Sequence, residues 1–143
     1  MHIAVIARVL GMLLMIFSLT MLSPIIVAYI YQENTASMFV LAFAITQIVG
    51  LAFWLPTKNK TGELRTRDGF FVTVFFWLVL SVFGTLPLMF SDATNLVFID
   101  ALFESVSGLT TTGATVLSGL DDLPRSILYY RQQLQWLGGI GIV

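Results

Sequence analysis

The chain has 143 residues, of which 57% are apolar and 10% are charged, it contains no cysteine, and its formal net charge is −1. Soluble domains average about 25% charged residues, and a domain of this size could not hide so much apolar surface from water. The composition therefore indicates a chain that lies in the lipid bilayer. It excludes disulfide scaffolds, thiolate metal sites and nucleic-acid binding through a basic patch.

The first two predicted elements are membrane-spanning helices. The charge-free stretch Val9–Ile30 exceeds the apolar core of a signal peptide, about 7–15 residues, and is long enough to cross a bilayer. Pro24 lies within it and predicts a kink. The stretch Met38–Leu55 predicts a second span, in which Gln47 is expected to hydrogen-bond a neighbouring helix. Residues 1–55 are therefore predicted to form an N-terminal transmembrane hairpin.

A polar and basic segment, residues 56–69, follows the hairpin. Its basic residues are Lys58, Lys60, Arg65 and Arg67. Short loops rich in lysine and arginine stay on the cytoplasmic side, so we expect this loop and the N-terminus to be cytoplasmic. Phe70–Phe90 then predicts a third span. The acidic segments around Glu33 and Asp121 are expected to lie outside.

The third span is followed by a stretch too short to cross the bilayer. Asp100–Leu109 is compatible with a helix of about 15 Å, which is half the thickness of the hydrocarbon layer. This length predicts a re-entrant helix that stops midway. The next five residues have poor helix propensity and are Thr110, Thr111, Thr112, Gly113 and Ala114. Irregular backbone at membrane depth is tolerated where it is buried in protein or lines a watery path.

Carbonyl oxygens of such a segment can replace the water that a cation loses. The C-terminal end of the preceding helix carries about half a negative charge and would face a cation at Thr110–Ala114. The carbonyl oxygens of Thr111, Thr112 and Gly113 are the favoured ligands. The threonine hydroxyls are left either as further ligands or as braces of the strand. The pattern predicts a cation filter that needs no cofactor.

We expect structural roles for the other polar residues near this segment. Asp100 and Glu104 lie four apart, on one helix face. No serine–base pair or metal cluster accompanies them in the sequence, and the one histidine, His2, lies at the N-terminus. We therefore expect helix-dipole and packing roles, and no enzymatic activity. Arg131 is expected to cap a helix, to snorkel or to pair with a nearby acid. The glycines at positions 138, 139 and 141 predict close helix packing, with a helix bend as the alternative.

Residues 103–115 (FESVSGLTTTGAT) and 130–141 (YRQQLQWLGGIG) resemble the first pore loop, and the helix after it, of the TrkH family of bacterial Trk-type potassium uptake subunits. This family is related to the Ktr and plant HKT transporters, within the Trk/Ktr/HKT superfamily. The resemblance implies a pore of four M1–P–M2 repeats in one polypeptide, each with one filter strand, and potassium as the transported ion. It also implies a homodimer, a cytoplasmic nucleotide-binding regulatory subunit and a place in the bacterial inner membrane.

Carried onto this sequence, the resemblance makes residues 70–143 the first pore repeat. Phe70–Phe90 becomes M1, about Asp100–Leu109 the pore helix, Thr110–Ala114 the filter, and the segment from about Ser126 an unfinished M2. The expected fold class is an all-α integral membrane protein: two N-terminal transmembrane helices, then one M1–P-loop–M2 potassium-channel-like repeat with M2 truncated. The other three repeats would come from the rest of a longer polypeptide. A non-conducting membrane anchor or assembly module of a larger complex is the alternative function.

Overall fold

The structure, a computed structural model, describes residues 3–60, 62 and 65–142. The regular structure of this part is helical, and it contains no β-strand. Its α-helices are α1 (Ile3–Thr20), α2 (Ser23–Ile30), α3 (Ala36–Trp54), α4 (Thr66–Gly84), α5 (Leu86–Phe90), α6 (Phe98–Leu109) and α7 (Arg125–Ile142), with short 3-10 turns at Leu55–Thr57 and Leu120–Asp122. The predicted all-α class is confirmed.

Among the described residues, three stretches are long and apolar enough to cross a bilayer: Ile3–Ile30, Ala36–Thr57 and Thr66–Phe90. All three begin earlier than predicted, at Ile3 rather than Val9, at Ala36 rather than Met38 and at Thr66 rather than Phe70. A long basic side chain near a helix end can reach the interface without ending the helix. Many large apolar side chains on these helices are exposed, as a lipid-facing surface requires. The chain is part of an integral membrane protein.

The helices α1 and α3 are in direct backbone contact. A Cβ atom on Gly11 would lie 2.7 Å from the Gly50 carbonyl oxygen, so glycine at both positions allows this approach. The Ser18 hydroxyl of α1 donates a hydrogen bond to the Gln47 side chain of α3. This contact confirms the helix–helix role predicted for Gln47.

The first apolar stretch is interrupted between α1 and α2, which confirms the kink predicted at Pro24. Proline has no N–H, so the carbonyl of Thr20, four residues earlier, loses its helical partner. The Gln133 side chain of α7 donates a hydrogen bond to that carbonyl at 2.7 Å. The Ser23 hydroxyl lies 2.9 Å from the same oxygen. A neighbouring helix therefore satisfies the backbone group that the kink exposes, as lipid demands.

A second interruption lies at Thr85, between α4 and α5, where the sequence predicts one continuous span. The Thr85 N–H bonds to the Val82 carbonyl, three residues back, instead of continuing the α-helical pattern. Pro87 follows two residues later and has no N–H to donate. A proline near the end of the predicted span therefore accompanies a one-residue interruption here, within the apolar stretch Thr66–Phe90.

Two carbonyl groups at this break are satisfied by side chains from other helices. The Ser81 carbonyl accepts a hydrogen bond from the Ser105 hydroxyl of α6 at 2.8 Å. The Gly84 carbonyl accepts one from the Tyr130 hydroxyl of α7 at 2.8 Å. Because an unpaired carbonyl is costly in an apolar medium, these bonds bind α6 and α7 to the break.

The buried core lies where α6 and α7 meet the N-terminal helices. The rings of Phe39 and Tyr130 meet edge to face, with centroids 5.6 Å apart. The core residues that are at most 1% exposed include Met21, Ala42, Leu88, Ala101, Leu109, Ile127 and Leu134. These contacts hold α7 between the N-terminal helices and α6.

Candidate functional site

The helix α6 ends at the predicted site. It runs from Phe98 to Leu109 over 12 residues, which is about 18 Å at 1.5 Å per residue and shorter than the hydrocarbon layer. It begins two residues before the predicted start and ends at the predicted residue. Asp100 lies in its first turn, where a carboxylate complements the positive end of the helix dipole. The negative end therefore lies next to Thr110.

The helix α7 packs directly on the end of α6. A Cβ atom on Gly138 would lie 2.0 Å from the Leu109 carbonyl oxygen. Only glycine permits this contact, so the close packing predicted at position 138 is confirmed. Gly139 and Gly141 have ordinary contacts, because their nearest neighbours would lie 3.9 and 3.5 Å from an added Cβ.

The backbone of the predicted site turns tightly over the end of α6. Its φ angle is 56° at Thr111 and 76° at Gly113, in the left-handed region that favours glycine. The N–H groups of Thr112 and Gly113 donate hydrogen bonds to the Ser107 carbonyl at 2.9 and 3.3 Å. The Ser107 hydroxyl donates to the Ala114 carbonyl at 2.6 Å. The end of α6 therefore occupies the N–H groups of Thr110–Gly113.

Three carbonyl groups of the same segment, those of Thr111, Thr112 and Gly113, are available. Residues 110–114 are all exposed. Within the described part of the chain, no hydrogen bond ends on the carbonyl oxygens of Thr111, Thr112 or Gly113. The Thr110 and Thr112 hydroxyls lie 2.8 Å apart, and Thr110 also donates to the Val106 carbonyl at 2.7 Å. This arrangement favours the carbonyls as ligands and these two hydroxyls as braces.

Glu104 connects three parts of the site. One carboxylate oxygen accepts hydrogen bonds from the Thr115 hydroxyl and, at 2.7 Å, from the Val116 N–H. The other lies 2.9 Å from Arg131 Nε of α7, in a buried ion pair. The pairing predicted as one option for Arg131 is confirmed. Glu104 thus holds the chain that leaves the predicted site against both α6 and α7.

This role of Glu104 was not predicted from the sequence, which suggested only helix-dipole and packing contributions. Nothing in the spacing of Glu104 and Arg131 indicates that they meet, because they lie 27 residues apart on different helices. The available signal was charge at membrane depth, where ionisable side chains usually pair with one another. Applying that rule to both residues would have found the contact.

Comparison with known proteins connects this geometry to one family. A family profile described as TrkH, cation transport protein, matches residues 35–143. The Trk system potassium uptake protein TrkH of Halomonas elongata is 54% identical over 143 residues, which are 100% of this chain and 30% of that protein. The protein of the same name from Escherichia coli is 49% identical, with the same coverage of both chains.

A solved structure has the same fold. The crystal structure of the potassium transporter TrkH from Vibrio parahaemolyticus superposes with a TM-score of 0.95 at 48% sequence identity. The match covers 99% of this chain and 30% of that one. The chain therefore spans about 30% of the length of the relatives that it matches.

Proposed function

The chain belongs to the TrkH family of cation transport proteins, and on that premise we propose that it supplies one of four pore repeats of a potassium uptake protein. The filter strand of this repeat is Thr110–Ala114. The observation that carries the proposal is an exposed segment in which α6 occupies the N–H groups of Thr110–Gly113, while the carbonyls of Thr111, Thr112 and Gly113 receive no hydrogen bond from the described residues. Potassium is the transported ion, and this function requires no cofactor.

The proposed mechanism exchanges water for protein oxygens. A potassium ion that enters the strand loses part of its hydration shell, and carbonyl oxygens from each of four strands replace it. The partial negative charge at the end of α6 stabilises the ion without introducing a carboxylate that would hold it too tightly. The side-chain contacts of Ser107 and Glu104 keep the strand in place, so little energy is spent on rearranging it.

The same proposal assigns the helices. α4 and α5 form M1, α6 is the re-entrant pore helix and α7 forms M2, while α1–α3 form the additional N-terminal hairpin. The basic loop supports a cytoplasmic N-terminus in a bacterial inner membrane. The other three repeats belong to the rest of the polypeptide. The homodimer and the cytoplasmic nucleotide-binding regulatory subunit are part of this proposal on family likeness alone.

Replacing Gly113 by serine tests the position of the filter. An added Cβ would have no neighbour closer than Gln135 Nε2 at 4.0 Å, but φ is +76°, so the change acts through backbone strain of about 1–2 kcal/mol. We expect the preference for rubidium over sodium to fall about tenfold, since 1.4 kcal/mol is a factor of ten. The measurement is uptake of both ions, at matched expression of the complete protein, by cells that lack their own potassium uptake.

Gly119→Ser is the matched control, because φ there is +63° and the nearest atom would lie 3.8 Å away. It introduces similar strain outside the filter and should leave the ion preference unchanged. Thr115→Ser retains the hydroxyl that bonds to Glu104 and should have far less effect than Gly113→Ser. An altered ratio in Thr115→Ser together with an unaltered ratio in Gly113→Ser would show that the filter is misplaced. Ion uptake that continues without this chain would favour the alternative function, a non-conducting membrane anchor.

A further inference from the structure

The helix α7 is tied to the N-terminal helices at the kink between α1 and α2. The Gln133 amide donates through Nε2 to the Thr20 carbonyl at 2.7 Å and accepts through Oε1 from the Ser23 hydroxyl at 3.0 Å. Both the donor and the acceptor of one side chain are thus used at the kink: the donor bonds to the Thr20 carbonyl that Pro24 leaves without a helical partner, and the acceptor bonds to the Ser23 hydroxyl. The α1–α2 segment itself contains neither asparagine nor glutamine, so it has no side-chain amide of its own that could bond to this carbonyl.

A second tie lies at the start of α7. Glu33, in the connection between α2 and α3, accepts hydrogen bonds from the N–H of Arg125 at 2.5 Å and of Ser126 at 3.0 Å, and from the Ser126 hydroxyl at 2.6 Å. The first N–H groups of a helix have no partner within it, and a carboxylate also complements the helix dipole. Burial raises the pKa of the Glu33 carboxyl, but the hydrogen bonds from Ser126 and Arg125 outweigh burial and hold that pKa below its usual value.

These ties occupy one face of α7, and the predicted filter is attached to the adjacent face. Ser126, Tyr130 and Gln133 recur at intervals of three and four residues, so they line one side of the helix. Tyr130 packs between them against Phe39 of α3. Arg131 and Gly138, on the next side, contact Glu104 and the end of α6. The position of α7 relative to α1–α3 therefore sets where its filter-facing side lies.

We propose that the N-terminal hairpin α1–α3 acts as a clamp, the N-terminal clamp, that determines ion selection by holding α7 in place. Glu33 and Gln133 are its positioning residues. The inference rests on the proposed function above and extends it to helices outside the pore repeat. Releasing either tie lets α7 shift, and the shift reaches the filter strand through Glu104 and Leu109. The clamp thus acts on the geometry of the ion site and not only on the amount of folded protein.

The first experiment uses Glu33→Gln and Gln133→Met in the complete protein, with rubidium and sodium uptake at matched abundance in the membrane. Each variant should raise the rubidium KM about tenfold (1.4 kcal/mol) and lower the preference for rubidium over sodium at least threefold. Asp92→Asn and Gln132→Met are the matched controls, because both side chains are exposed and neither bonds to another described residue. They should leave both quantities unchanged. Loss of abundance or maximal rate alone, with KM and ion preference unchanged, would overturn the inference.

A reversible link tests the same idea in one folded protein. Ser23→Cys and Gln133→Cys, combined in a background without other cysteines, can be joined by a short bifunctional thiol reagent that reduction cleaves. The two native side chains meet at 3.0 Å, and the reagent supplies the length that position 133 loses when glutamine becomes cysteine. Ion preference should be low in the unlinked protein and should recover when α2 and α7 are linked. Equal preference in both states would contradict the clamp. Gly113→Ser is measured in parallel. If Gly113→Ser changes the ion preference but the clamp variants do not, the clamp proposal is wrong. If Gly113→Ser leaves the ion preference unchanged, the filter proposal is wrong.

Discussion

The ion pair of Glu104 and Arg131 shows what single residues contribute to the candidate site. The two side chains are 2% and 10% exposed. Removing both charges from water costs several kcal/mol per ion, and mutual attraction offsets this only if the remaining polar groups are also satisfied. Glu104 meets that condition because its second oxygen accepts two further hydrogen bonds, from Thr115 and Val116. The pair therefore specifies an arrangement more than it adds net stability.

Glu104→Gln keeps the shape of the side chain but leaves Arg131 buried without a counter-charge. We expect the free energy of unfolding to fall by about 3–5 kcal/mol. Cation uptake should fall as well, because an uncompensated positive charge would stand beside the filter strand. The measurements are thermal unfolding in detergent and rubidium uptake in cells.

Two further variants identify the cause. Asp100→Asn, in the first turn of the same helix, should cost less than about 1 kcal/mol. The double variant Glu104→Gln/Arg131→Gln removes both charges and should regain most of the lost stability, since a neutral pair needs no buried counter-charge. A double variant as unstable as Glu104→Gln alone would show that the unpaired arginine is not responsible.

At the scale of helices, α7 closely approaches the end of α6, where the proposed filter strand begins. The contact is between backbones, because Gly138 faces the Leu109 carbonyl. A backbone oxygen cannot rotate away as a side chain can, so an added methyl group must push the two helices apart. The next residue, Gly139, has room for a methyl group, since its nearest neighbour is Thr111 Cγ2 at 3.9 Å.

Gly138→Ala should therefore destabilise the protein at the upper end of the roughly 1–3 kcal/mol typical of overpacking, and it should lower rubidium uptake by moving Leu109. Gly139→Ala is the matched control and should be neutral or slightly stabilising, because alanine favours helices by about 1 kcal/mol over glycine. Melting temperature and uptake measured on both variants test this. Equal effects of the two substitutions would contradict the backbone contact.

At the scale of the whole molecule, the basic loop and Glu33 lie at opposite ends of the bundle. At one end Arg8 Nη1 lies 3.3 Å from the Lys60 carbonyl oxygen, which brings the start of α1 beside the basic loop. At the other end Glu33 meets the start of α7. Three apolar stretches connect the two ends. This separation agrees with the proposal that the basic loop is cytoplasmic and the Glu33 end lies outside.

Cysteine labelling tests this topology in a chain that has no cysteine of its own. Single cysteines at Asn59 and Asp121 should react with a membrane-impermeant reagent from opposite faces of the membrane. A cysteine at Asn34 is the control and should react from the same face as the one at Asp121. Labelling of positions 59 and 121 from the same face would mean that α4 and α5 do not cross the membrane.

Several features of this protein were determined by short stretches of sequence. The three apolar stretches follow from runs of uncharged residues, and the kink at Pro24 follows from a missing N–H. The end of α6 at Leu109 was predictable, because the threonines and glycine that follow it have poor helix propensity. These causes act within a few residues of the chain. The close packing at Gly138 and the pairing of Gln47 followed from the rule that small and polar residues lie at helix contacts in membranes, although that rule does not name the partner.

The tertiary structure alone decided which distant groups meet. Glu104 pairs with Arg131 across 27 residues, and Gln133 reaches the Thr20 carbonyl across 113. Neither residue's neighbours in sequence indicate its partner. Helix faces come together to bury apolar side chains, and only then does each buried polar group find the partner that its desolvation requires. The membrane spans and the irregular segment Thr110–Ala114 therefore follow from local sequence, whereas the contacts that hold this segment in place follow from helix packing.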